Sequence, residues 1–197
     1  MRRAEKREHL VDVAMQLFNK HGYHATGVDR IMAEAGIAKT TLYRHFKTKD
    51  ELIVAVLAKV DEAAREEMRS FVEQAASDPR ERLLATFSQL DIWLQDRSFS
   101  GCPFVAAAAE FGERPNVVLQ QVMLHKRLYL AYFEELARAA RLHDAKMVAR
   151  QIVMLHEGAV AFAQVLGPTG VANAARQAAV AIIDRALAAA PRATAHA

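Results

Sequence analysis

The sequence predicts an all-α protein of nine helices, and three observations carry that expectation. Strand signals are nearly absent, and Ala, Leu, Glu, Gln, Arg and Met dominate. Apolar residues recur at i, i+3 and i+4 almost throughout. Glycine and proline fall at intervals that divide the chain into helix-sized pieces. The helices are expected at residues 5–21, 28–35, 39–45, 49–75, 79–96, 103–112, 116–141, 145–166 and 171–189. A chain of 197 residues is long enough to bury a sizeable core in one or two helical domains.

Local chemistry justifies each element in turn. The first helix sets Leu10, Val13 or Ala14, Leu17 and Phe18 on one stripe, and Gly22 is its left-handed terminator. The second repeats Val28, Ile31, Met32 and Ala35 as a buried face, with Thr26 and Asp29 at capping-box spacing. Gly36 permits a tight turn, Ile37 plugs the small core, and KTTLYRHF forms a short third helix. Thr48 and Glu51 repeat the capping-box spacing before the fourth. Asp78-Pro79 and Arg114-Pro115 put proline where a helix begins, because its missing N–H is unneeded there. Gly101 and Pro103 break the chain before the sixth helix, Gly167-Pro168 ends the eighth, and Pro191 ends the ninth. The final RATAHA, within residues 191–197, reads as a flexible tail.

Bulk properties exclude several classes. No run of 18 or more apolar residues is present, so no membrane span or membrane partner is expected. The opening MRRAEKREHL lacks the apolar stretch of a secretory signal, and the single cysteine, Cys102, fits a reducing cytoplasm. Residues 1–50 hold 10 Lys+Arg against 6 Asp+Glu, whereas residues 51–197 hold 16 against 17. The positive excess therefore sits in the first quarter, as expected if that part meets a polyanionic backbone. No nucleophile–base arrangement, phosphate loop or metal-ligand cluster is visible, so neither an enzyme, a metal nor a cofactor is expected. His156-Glu157 continues as GAVAF, so the HExxH of a zinc protease is missing.

The third helix divides into two chemistries. Leu42 and Phe46, i and i+4, belong to a core with the first two helices. Lys39, Thr40, Thr41, Tyr43, Arg44 and His45 lie mostly on other faces and carry donors that no core requires. Two short helices joined by a glycine turn, the second loaded in this way, form a helix-turn-helix that reads the major groove of double-stranded DNA.

The segment LF…GY…T…I…AGI…TLYRHF…K.EL resembles the amino-terminal domain of the tetracycline-repressor (TetR) family over about residues 6–57. The resemblance implies a homodimer with a three-helix DNA-binding domain at residues 1–48. An all-helical effector-binding and dimerisation domain would follow at residues 49–190. It implies a transcriptional regulator, most often a repressor, that binds a palindromic operator and is released by a small-molecule effector. Carried over by position, Thr26 and Lys49 resemble phosphate clamps, and Tyr43 and His45 resemble backbone or groove contacts. Lys39, Thr40, Thr41 and Arg44 would face bases or nearby phosphates, with Arg44 the first choice for a guanine. Arg2 and Arg3 could reach the adjacent backbone or minor groove. Many family members place serine where this chain has Ala38, so the third helix lacks a hydroxyl cap.

Downstream, FSGCPFVAAAAEFGERPNVV resembles a stretch in one branch of the family. Candidate effector contacts are Phe87, Leu90, Asp91, Trp93, Leu94, Cys102, Phe104, Phe111, Met123, His125, Tyr129, Tyr132 and Phe162, a largely apolar set with a few polar groups. The same residues equally fit an ordinary filled core. Cys102 near a helix start invites a redox role, but no basic residue adjoins it in sequence. Val148, Ile152, Leu155, Ala159 and Phe162 on the eighth helix, with Ala175, Ala178, Ala179, Ile182 and Ala186 on the ninth, form stripes suited to a two-fold four-helix dimer interface.

Overall fold

The structure, a computed structural model, describes residues 3–112 and 116–189, apart from the side chain of Arg3. The expectations for Arg2 and the Arg3 side chain, the Arg114-Pro115 break and the tail at 191–197 lie outside the described residues. Nine α-helices and no strand occur among the described residues: α1 (Arg3–His21), α2 (Val28–Ala35), α3 (Lys39–His45), α4 (Lys49–Ala75), α5 (Pro79–Gln95), α6 (Pro103–Phe111), α7 (Val117–Ala139), α8 (Ala145–Leu166) and α9 (Val171–Ala188).

Most helix ends follow the local chemistry. Gly22 takes φ +85° and closes α1 through its N–H to Phe18 O at 2.8 Å. Gly36 takes φ +62°, and the N–H of Ile37 returns to Met32 O at 3.1 Å, a left-handed stop that only glycine adopts without strain. The Thr48 hydroxyl accepts from Glu51 N at 3.1 Å, while the Glu51 carboxylate accepts from Lys47 N at 2.7 Å. Asp78 caps α5 by accepting from Glu81 N at 3.0 Å, with Pro79 next in line. Ala38 caps α3 with backbone alone.

Two departures from expectation have a local physical cause. The capping box read at Thr26 and Asp29 is not formed: the cap residue of α2 is Gly27, which has no side chain to offer. Helix α7 stops at Ala139 rather than 141, because Leu142 turns inward and buries its side chain. Its N–H bonds Ala137 O at 3.2 Å while Arg141 takes φ +53°, the geometry usually given to glycine.

The chain packs into two compact units, each continuous in space but not in sequence. Among the described residues the first comprises 3–64, 102–112 and 116–126, the second 65–101 and 127–189. Packing therefore divides the chain differently from the expected division at 48/49, because α6 and the start of α7 join the amino-terminal helices. In the first unit Leu10, Phe18, Ile31, Leu42, Leu52 and Ile53 form a core that also takes in Phe104, Ala107 and Val118. In the second, α8 and α5 both pack on α9, around Leu83, Phe87, Phe133, Ile152 and Ile183. No helix among the described residues is long and apolar enough to cross a membrane.

Candidate nucleic-acid interface

Helix α3 is held from one side and open on the other. Leu42 and Phe46 are buried in the core of the first unit, so the rotation of the helix is fixed. That rotation leaves Lys39, Thr40, Tyr43 and Arg44 exposed, with Thr41 and His45 half-buried at the margin. The exposed set presents an ammonium, a hydroxyl, a phenol and a guanidinium on one arc of two turns, the donor set that base edges and phosphates accept. Arg7 of α1 lies over the Phe46 ring, 5.0 Å from its centre, and adds a cation beside the end of α3.

Of the two residues assigned as phosphate clamps, Thr26 is placed otherwise. Thr26 is fully buried, and its hydroxyl faces Gly22 O at 2.7 Å and Leu17 O at 3.3 Å. It fixes the loop between α1 and α2 and has no accessible oxygen for a phosphate. Lys49 is half-buried, and its ammonium donates to His24 O at 3.2 Å. Burial lowers its pKa, while the carboxylates of Glu110 and Asp50 act in the opposite direction.

The same loop receives contacts from residues far along the chain. Glu110 of α6 accepts from Tyr23 N at 2.9 Å and from His24 N at 2.6 Å. The Tyr23 hydroxyl donates to Pro103 O at 3.0 Å, and burial pushes its pKa upward. Phe111 lies 4.5 Å from the His24 ring and 6.3 Å from that of Tyr23, so this candidate effector contact packs on the loop that leads into the α2–α3 helix-turn-helix, the reading head.

The remaining effector candidates fall into both units. In the first, His125 stacks on Phe104 at 3.5 Å, and its Nδ1 lies 2.7 Å from Asp61 Oδ1, with both side chains buried. Cys102 is half-buried, and Lys126 brings its ammonium to 3.8 Å from the sulfur, a basic neighbour supplied across 24 residues. Met123 is exposed. In the second unit, Phe87, Leu90, Leu94 and Tyr132 are buried. Asp91 accepts from Gln95 at 2.7 Å, and Trp93 meets Phe99 edge-on at 5.1 Å.

His156 is the polar centre of that second unit, buried against Phe87 at 4.3 Å and Phe133 at 5.0 Å. The Thr86 hydroxyl donates to Leu83 O at 2.6 Å, so its oxygen takes the Nε2 proton of His156 at 3.1 Å. Nδ1 then accepts from the Tyr129 hydroxyl at 3.1 Å. Burial lowers the His156 pKa to about 3, so the ring is neutral. An open cleft of about 490 Å³ also lies in this unit, lined by Leu94, Gln95, Asp96, Phe99, Ser100, Ala163, Gln164 and Pro168. Of the effector candidates it takes in only Leu94.

Residues 10–56 match the family model for bacterial regulatory proteins of the tetR family, and residues 79–179 match a tetracyclin repressor-like C-terminal domain. The chain is 32% identical over 159 residues to the HTH-type transcriptional activator FasR of Mycolicibacterium smegmatis, covering 78% of this chain and 69% of that one. The chain belongs to the TetR family. It is a DNA-binding transcriptional regulator, and members of this family are not enzymes.

Other relatives agree on the family and differ in the sign of regulation. The HTH-type transcriptional repressor NemR of Escherichia coli is 28% identical over 107 residues, 54% of each chain. A solved TetR-family regulator of Streptomyces coelicolor superposes with a TM-score of 0.86 at 28% identity, covering 93% of this chain and 96% of that one.

The TetR-family dimer residues require a correction. Val148, Ile152 and Ala159 are buried within the single chain, so that stripe of α8 forms part of the intrachain core. Leu155, Ala175 and Ile182 are half-buried, and of the α9 stripe only Ala178 is exposed. The apolar residues that α8 does present are Met154 at 67% exposure, Phe162 at 58%, Val165 at 79% and Leu166 at 69%. Phe162, read both as an effector contact and as part of the dimer stripe, belongs with this outward face. Helix α8 is apolar on two sides, and periodicity alone does not say which side turns inward.

Proposed function

We propose that this TetR-family chain is a homodimeric repressor that binds a palindromic operator and releases it when a small-molecule effector binds. The observation that carries the reading is the exposed arc of Lys39, Thr40, Tyr43 and Arg44 on a helix whose other side is fixed by Leu42 and Phe46. The outward apolar residues of α8 support the dimer, since several large apolar side chains exposed on one helix favour association. Two-fold symmetry would place the recognition helices about 34–36 Å apart, or a multiple of that, in successive major grooves. Release would follow from a change in their separation, carried by α4 and α7, which contribute residues to both units.

Selection of bound fragments from genomic DNA, followed by footprinting and sedimentation, tests the proposal. A palindromic footprint occupied by two chains is expected, with affinity falling steeply as salt rises. A single protected half-site bound by one chain would overturn the dimer. Because the relative FasR is named an activator, activation is the second reading. A reporter driven by the selected promoter decides between them: transcription rising when the protein is removed marks a repressor.

A further inference from the structure

Helix α6 lies within the stretch matched to the C-terminal family domain, yet it packs in the unit that carries the reading head. Its two ends hold a single short loop, Gly22–Tyr23–His24, between α1 and α2. At the start of α6, Pro103 O accepts from the Tyr23 hydroxyl at 3.0 Å. Near its end, one oxygen of Glu110 accepts from Tyr23 N at 2.9 Å and the other from His24 N at 2.6 Å. The second oxygen also lies 3.2 Å from His24 Nδ1, and the adjacent Phe111 packs on the same imidazole.

Chain geometry allows this approach because residue 22 is glycine. A Cβ there would stand 3.2 Å from Glu110 Oε1, at a φ of +85° that other residues rarely adopt. The loop is then fixed from its other faces by the buried Thr26 hydroxyl on Gly22 O and by Lys49 on His24 O. Two residues after Thr26, α2 begins. Helices α2 and α3 pack on each other and on α1, so the entry angle of α2 sets where the α3 arc points.

We propose that Glu110 is a positioning residue for DNA binding: by gripping the Tyr23 and His24 amides, it ties the orientation of the reading head to that of α6. A carboxylate accepting two backbone N–H groups forms charge-assisted bonds, stronger and more directional than neutral ones. Displacement of α6 by one bond length would break both or carry the loop with it. Glu110 touches the protein's own amides and meets DNA only through the helices it orients. The inference rests on α3 being the DNA-reading helix.

The test uses the full chain and the genomic fragment that the wild type selects. Glu110→Gln keeps the side-chain volume, but its single amide oxygen serves one N–H while its NH₂ opposes the other. Roughly tenfold weaker binding is expected, a loss of the size that follows from one charge-assisted bond. The dependence of affinity on salt should be unchanged, since no phosphate contact is removed. Tyr23→Phe, which removes only the bond to Pro103 O, should weaken binding less and carries the test if E110Q does not fold. Wild-type affinity in both folded variants overturns the proposal. So does tighter binding by E110Q, which would show the carboxylate acting merely as a like charge against phosphate. A wild-type chain that selects no duplex would instead remove the reading beneath it, a result visible before any variant is made.

Discussion

Helix α3 leaves Lys39, Thr40, Tyr43 and Arg44 exposed, whereas α8 leaves Met154, Phe162, Val165 and Leu166 exposed. Both helices bury their other side: Leu42 and Phe46 in one case, Val148, Ile152 and Ala159 in the other. The first face loses little by standing in water and would gain when base edges accept its donors and phosphates give up counterions to it. The second keeps apolar area in water at a cost of about 25 cal/mol per Å², which association would recover. Exposure therefore marks both surfaces, and the chemistry of what is exposed distinguishes a polyanionic partner from an apolar one.

Breaking the α3 side should have the largest effect. Arg44→Ala with Tyr43→Ala should lower operator affinity about a thousandfold, since a dimer repeats the loss in both half-sites. A gel-shift titration measures this, and sedimentation should show the dimer intact. An undiminished affinity would detach α3 from DNA reading altogether. On the α8 side, Phe162→Glu with Val165→Glu should yield folded monomers by sedimentation. Operator affinity should fall about a hundredfold as the two heads cease to act together. A dimer that persists in this variant would move the interface elsewhere.

The interiors of the two units sharpen the contrast. His125 faces the Asp61 carboxylate, whereas His156 is held between two hydroxyls among aromatic rings. The His156 pKa falls from 6.5 in the unfolded chain to about 3 in the folded one. Between those values the unfolded chain binds a proton that the folded chain refuses, so the contribution is complete above the upper value and lost as pH falls. His156→Phe should therefore reduce the pH dependence of unfolding free energy in that window by about 1.4 kcal/mol per pH unit, measured by denaturant titration. An unchanged slope would assign the acid sensitivity to other groups. The smallest effect is local. Thr48→Ala removes the hydroxyl that accepts from Glu51 N, and should cost about 1 kcal/mol of thermal stability with operator contacts preserved.

What could be read from the residues in advance was mostly local. The limits of α2, α3, α4 and α8 match the expected ones, because a helical period, a glycine stop at Gly36 and caps such as Thr48 and Asp78 act within a few residues. The arc of α3 was legible for the same reason: Leu42 and Phe46 define its inner side four residues apart. Thr26 was misjudged because a threonine before a helix looks the same whether its hydroxyl caps α2 or turns back to Gly22.

By itself, then, the sequence determined the all-helical class, the nine segments, the reading head and its outward chemistry. Tertiary structure alone decided which apolar side of α8 turns inward, that Arg141 rather than glycine turns the chain after α7, and that α6 joins the amino-terminal helices. It also brought Glu110 to amides 86 and 87 residues away, and Lys126 to Cys102. The physical reason is range. Backbone propensity and capping are settled within a turn or two of the chain, whereas burial and pairing depend on which distant surfaces meet, and periodicity carries no record of that choice.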